Sequence, residues 1–195
     1  MPKDVLFDET AVLRKATALF SHKGYNGTSM DELTRATGLS RSSIYNTFGD
    51  KHELFMKSLR QYLDEEQKSM TEAVQKTSSP LKKIQLAFKY IVEVILADKP
   101  RNGCLMVNTT TELANTDKEV CTQAVENMDG MEKQFAEWIK AGQQLGEINT
   151  AFTPQAMARF LFNAYSGLRV TGKTKPDRKV LEDIVKVNLS VLDKK

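Results

Sequence analysis

In the stretch 40-SRSSIYNTFGDKHELF-55, Arg41 and Tyr45 stand four residues apart, so a helix would bring them onto one face with Ser42 and Asn46 beside them. An arginine fork can grip guanine through two hydrogen bonds, and tyrosine and threonine hydroxyls can bond phosphate oxygens. Small hydroxyl side chains let such a helix sit close to the floor of a groove. Ile44 and Phe48, a second pair four apart, form an apolar edge on another face. The amide-rich helix starts at Ser29, Ser40 and Asp50 suit anions, and Lys51 adds a positive charge beside the last of them. Taken alone, this face reads either as a solvated surface or as one that meets a polar partner.

Catalytic chemistry finds no matching set. The only histidines, His22 and His52, lie in this same N-terminal region. No Ser–His–acid combination, phosphate-cradling glycine loop or metal-ligand spacing accompanies them, so no enzyme, metal or cofactor is expected. Glu65, Glu66, Glu126 and Asp129 read as solvated helix faces. Cys104 and Cys121 are too few for a disulfide framework, which fits a reducing cytoplasm, and Cys121 is expected in the core.

The chain has 195 residues, 41% of them apolar and 27% charged, with a formal charge of +3. Residues 1–60 hold nine basic against seven acidic side chains and the remainder nineteen against eighteen, so only the placement of charge can mark a nucleic-acid partner. No apolar run is long enough to cross a membrane, and the opening MPKDVLFDET has no apolar signal core, so a cytoplasmic protein is expected.

The elements that must hold these residues are helices. Val12, Leu13, Ala16, Leu19 and Phe20 make one apolar face that stops at Gly24. Ser29 with Glu32 is a capping box that opens a helix ending at Gly38, and Ser40 opens the next. Asp50, with Glu53 three residues on, opens a long helix to about Gln75. Beyond Ser79-Pro80 the spacing predicts helices near 80–98, 103–115, 117–145, 153–172 and 177–193, with Gly130 marking a bend or a close helix contact. Nothing alternates cleanly enough for a strand, and the class is all-α. Leu33, Ala36, Leu39, Ile44 and Phe48 would pack two short helices against the first, a helix-turn-helix.

The run Leu13, Ala16, Leu19-Phe20, Gly24-Tyr25, Thr28-Ser29-Met30, Leu33, Ala36, Gly38-Leu39-Ser40, Tyr45, Phe48, Lys51, Leu54 resembles the DNA-binding domain of TetR-family transcriptional regulators. The helical remainder resembles that family's ligand-binding and dimerisation domain. The resemblance implies a helix-turn-helix domain over 1–55, an effector-binding and dimerisation domain over 56–195, and a cytoplasmic homodimeric repressor of a palindromic double-stranded operator. It assigns Arg41 and Ser42 to bases and Thr28, Tyr45, Thr47 and Lys51 to phosphates, with Ser40 and Asn46 completing the surface. Asp50, an acidic departure near the expected backbone, should turn inward as a cap.

The resemblance also implies a dimer built on the last two helices. Phe160, Ala164, Tyr165 and Leu168 would supply one stripe, and Leu181, Ile184, Val185, Asn188 and Leu192 the other. The middle helices offer flexible apolar and aromatic surface for a largely apolar or aromatic effector. Phe88, Val92, Met131, Phe135, Trp138 and Phe162 are its candidate walls, and Met106 and Asn108 extend it. Cys104, in a Gly-Cys-Leu segment found in a subset of the family, is either a reactive thiol of that site or a small buried packing residue.

Overall fold

Most helices begin where the sequence supplies a side chain able to satisfy their first amide groups. The computed structural model describes residues 7–194, so most of the N-terminal stretch read for an export signal lies outside the described residues. Its helices are α1 (Glu9–Lys23), α2 (Met30–Thr37), α3 (Arg41–Phe48), α4 (Lys51–Val74), α5 (Pro80–Ala97), α6 (Leu105–Leu113), α7 (Lys118–Gln144), α8 (Pro154–Thr174) and α9 (Arg178–Leu189), with a 3-10 turn at Ser190–Leu192. No strand occurs among the described residues, and the fold is all-α as expected. Asp8, Ser29, Ser40, Ser79, Asp117, Thr153 and Asp177 each accept a backbone N–H from the first turn that follows them. Asp50 does the same for the Glu53 N–H at 2.9 Å, so its carboxylate is turned to the helix start.

The chain divides into two compact units, one through Glu66 and one from Gln67 onward, and α4 runs through the division. In the first, Val12, Ala16, Phe20, Leu33, Ile44, Phe48, Leu54, Phe55 and Leu59 are buried. Phe20 meets Phe55 edge-on at 4.9 Å between ring centroids. Ala36 is exposed, contrary to expectation, and Thr37 takes the inward place. The buried edge of α2 steps four residues from Leu33 rather than three, and the Thr37 hydroxyl is satisfied by donating to the Leu33 carbonyl at 2.7 Å. Gly38 ends α2 at φ 78°, in the left-handed region that turns the chain toward α3.

The second unit has one large apolar cluster contributed mainly by α5, α7, α8 and α9, with Phe88, Phe135, Tyr165, Leu161, Leu168 and Leu181 among its members. Three aromatic rings interlock there: Phe88 lies 6.1 Å from Phe135 and 5.8 Å from Tyr165, and Phe135 lies 6.3 Å from Tyr165. Arg178 at the start of α9 grips Glu93 on α5 through two hydrogen bonds of 2.7 and 2.9 Å. The Glu93 carboxyl is held below its ordinary range, first by that hydrogen bond and then by the arginine's charge. Glu147, in the α7–α8 connection, accepts from the Ser79 hydroxyl at 2.7 Å and the Leu81 N–H at 3.1 Å, which fastens this connection to the start of α5.

Two further expectations are corrected. Cys121 is exposed rather than in the core, because its neighbour Val120 is the residue that α7 turns inward. Of the two readings of Gly130, the close helix contact is not found, since a Cβ built there would meet nothing within 4 Å.

Candidate nucleic-acid interface

The surface is built on α3, eight residues that cannot hold a helix in isolation. Ser40 caps it by accepting the Ser43 N–H at 3.1 Å, and its hydroxyl also pairs with those of Ser42 at 2.9 Å and Ser43 at 2.8 Å. Ile44 and Phe48 are fully buried and fix the inner face. At the far end Gly49 has φ 86°, and the Glu53 side chain folds over it so closely that a Cβ would collide with its carboxylate. The carboxylate can swing aside, so it is the positive φ that favours glycine here. The Lys57 ammonium donates to the Phe48 carbonyl at 3.2 Å, which satisfies one of the last acceptors of α3.

With its inner face fixed, α3 turns Arg41, Ser42, Tyr45 and Asn46 to solvent, and Ser40 is exposed at its start. Thr47 is half-buried. Lys51 is half-buried too, its ammonium 4.3 Å above the centroid of the Tyr25 ring. Thr28 departs from this group. It is only 2% exposed, and its hydroxyl donates to the Gly24 carbonyl at 2.7 Å, closing the turn between α1 and α2. Its hydroxyl hydrogen is already donated inside the turn, so the residue offers no free side-chain donor at the surface.

Two polar partners were not foreseen from the sequence. The Arg41 Nη2 donates to Asp31 Oδ1 of α2 at 2.8 Å, a contact between residues ten apart on different helices that no local spacing signals. Lys23 of α1 pairs with Glu32, the capping-box acid of α2. The Glu32 carboxyl is thereby lowered to about 2, first by the hydrogen bond from Lys23 and then by the Ser29 backbone N–H and hydroxyl. These bonds lock the start of α2, on which the setting of α3 depends.

In the second unit the effector candidates separate. Phe88, Val92 and Phe135 are buried in the central cluster, with Met131 and Trp138 packed against it. Cys104, the residue before α6, and Met106 on α6 are buried outside that cluster. Asn108 is half-buried, donating to the Asn102 carbonyl at 2.8 Å and accepting from the Lys173 ammonium at 3.0 Å. Phe162 is half-buried on α8.

The dimerisation candidates also divide. Tyr165, Leu168, Leu181 and Leu192 are no more than 5% exposed inside the chain's own core and have no face left for a partner. Ala164, Ile184, Val185 and Asn188 are half-buried, and Phe160 is exposed. The outward stripe of α8 instead runs Phe160, Asn163, Gly167, Val170, in steps of three and four. On α9 the most exposed apolar side chain is Val187, at 72%.

Comparison with known proteins places both halves. Residues 12–56 match the family described as bacterial regulatory proteins, tetR family, and residues 80–187 match the tetracyclin repressor-like C-terminal domain. The HTH-type transcriptional regulator YezE of Bacillus subtilis (strain 168) is 29% identical over 194 residues, 99% of this chain and 100% of that one. The HTH-type transcriptional repressor DhaR of Mycobacterium sp. (strain GP1) is 25% identical over 182 residues, 93% of this chain and 90% of its own. Among solved structures, a cysteine mutant of the TetR family transcriptional regulator CifR, complexed with 26bp double-strand operator DNA, superposes with a TM-score of 0.86. It is 23% identical and covers 98% of this chain and 100% of its own.

Proposed function

The chain belongs to the TetR family of bacterial regulatory proteins, DNA-binding transcriptional regulators rather than enzymes, and from that premise we propose that it is a cytoplasmic, ligand-responsive repressor that binds a palindromic operator as a homodimer. The observation that carries the reading is the division of α3 into a buried edge, Ile44 and Phe48, and an exposed edge of Arg41, Ser42, Tyr45 and Asn46. A helix anchored in this way presents its polar edge to a major groove, with Arg41 and Ser42 at base edges and Tyr45, Thr47 and Lys51 on the backbone. DhaR, whose name marks it as a repressor, supports the sign of the regulation.

In this reading residues 1–55 are the DNA-binding domain and 56–195 bind the effector and the second copy. One helix-turn-helix offers few contacts, so two copies reading half-sites about 34–36 Å apart supply the affinity. The outward residues of α8 (Phe160, Asn163, Ala164, Gly167, Val170), together with Ile184, Val187 and Asn188 of α9, form the proposed dimer surface. A largely apolar or aromatic effector enters beside the aromatic cluster, where half-buried Met131 and Trp138 flank Phe135. It favours a dimer whose recognition helices are wrongly spaced, and a coupling of about 1–3 kcal/mol would weaken operator binding roughly 5- to 150-fold.

Selection from a random duplex pool at about 0.15 M salt tests the reading, since lower salt rewards nonspecific phosphate contact. A palindromic consensus is the expected result. Folded, dimeric, effector-free protein that enriches no sequence would refute it.

A further inference from the structure

An aspartate within hydrogen-bond reach of the arginine assigned to base reading is an unexpected companion on a surface meant for phosphates. The Asp31 side chain is 79% exposed and that of Arg41 57%, and they meet at 2.8 Å. An exposed pair of this kind adds little to stability. The capping of α2 does not require it either, because Ser29 and Glu32 already complete the capping box. The bond to Nη2 has two other consequences. It favours one orientation of the guanidinium and engages only Nη2, so further N–H donors of the fork are left for a bidentate guanine contact. It also sets a negative charge directly beside the arginine's positive one.

We propose that Asp31 is a specificity-determining positioning residue, which orients Arg41 for a base edge and withholds its charge from nonspecific phosphate. The proposal rests on α3 being the DNA-reading helix. On random sequence the pair stays closed and Arg41 contributes no counterion release. On the operator the same pair holds the fork toward guanine.

The test compares full-length protein with Asp31→Asn, Arg41→Gln and the double variant, using the selected operator duplex and a scrambled duplex of equal length and composition. Each phosphate contact adds about 0.9 to the salt slope, which corresponds at about 0.15 M salt to a roughly five-fold gain in affinity. Asp31→Asn is therefore expected to bind scrambled DNA about five-fold more tightly per protomer, with a steeper salt dependence, and to lose at least that factor in operator preference. In the Arg41→Gln background the same substitution should change neither quantity, because Asp31 acts through Arg41. Unchanged preference in Asp31→Asn, with circular dichroism confirming its fold, overturns the proposal. So does an effect that persists without Arg41, which would make Asp31 a plain repulsive charge. Parental protein that does not distinguish the two duplexes removes the DNA-reading premise itself, and the proposal with it.

Discussion

Ile44 and Tyr45 are neighbours in sequence, and the structure turns one inward and the other outward, a difference that one pair of substitutions can exploit. Ile44 is 0% exposed and Tyr45 46% exposed. Truncating Ile44 to alanine removes about three buried carbon groups, or roughly 2.4 kcal/mol of transfer free energy at about 0.8 kcal/mol each. The cavity left behind brings the cost to about 3–4 kcal/mol. In a unit of this size 1 kcal/mol moves the midpoint by about 4–8 °C, so the N-terminal transition should fall by at least about 12 °C. Tyr45→Ala leaves the core intact and should cost about 1 kcal/mol or less. It removes a hydroxyl assigned to a phosphate, and a hydrogen bond to a charged partner is worth about 1.5–3 kcal/mol, so operator affinity should drop at least about ten-fold. Differential scanning calorimetry and fluorescence titration of a labelled operator read the two quantities. The reasoning fails if Tyr45→Ala destabilises as much as Ile44→Ala. It fails equally if Tyr45→Ala leaves operator affinity unchanged in folded protein.

Val170→Asp with Val187→Asp, at side chains 56% and 72% exposed, should give a folded monomer with an unaltered helical spectrum, and sedimentation equilibrium checks this. Cys121 should react with a thiol reagent in native protein well before buried Cys104, an order that mass spectrometry of partly labelled chains reads directly. The Glu147 carboxyl is held below its ordinary 4.5, first by the Ser79 hydroxyl and then by the Leu81 N–H. A depressed carboxylate contributes stability that is complete above its unfolded value and lost as pH falls through its folded one. Urea unfolding should therefore separate the parent from Glu147→Gln at pH 7 and bring them together on acidification below pH 4.5. Gly49→Ala should destabilise the α3–α4 turn by about 1–3 kcal/mol, because φ 86° opposes a side chain, and hydrogen exchange of the α3 amides reports it.

Local chemistry was the most legible part of the chain. The capping box at Ser29 and Glu32, the cap at Ser40 and the left-handed Gly38 are short-range signals, and each sets one end of a helix. The two edges of α3 were legible for the same reason, since Ile44 with Phe48 and Arg41 with Tyr45 differ in polarity as well as in angle. The sequence was less informative where both faces of a helix are apolar. On α8, Leu161, Tyr165 and Leu168 share one stripe and Phe160, Gly167 and Val170 another, with no charge to tell them apart. Packing against α5 and α7 decides which turns inward, and that is a tertiary choice. Cys121 and Ala36 failed likewise, each displaced from the core by an adjacent residue whose angle was better. The Arg41–Asp31 bond depends on how the turn at Gly38 sets two helices, and nothing in either helix alone announces it.

The separation of duties on α3 carries a consequence for specificity. A helix this short owes its position to its neighbours, through Ile44, Phe48, the Ser40 cap and the glycines at either end, and not to the residues it exposes. Arg41, Ser42, Tyr45 and Asn46 are therefore free to vary without loss of the fold, and under the proposed function the operator preference should change by exchange of those side chains alone. Asp31 bears on that freedom only where Arg41 is kept. It acts through the arginine, so a substitution at Arg41 that abolishes the pair should leave position 31 without influence on the new specificity. A library varied at 41, 42, 45 and 46 and selected on a foreign operator should thus yield clones lacking Arg41 equally often in the parental and Asp31→Asn backgrounds. A surplus of such clones in the Asp31→Asn background would mean that the carboxylate repels the DNA by itself.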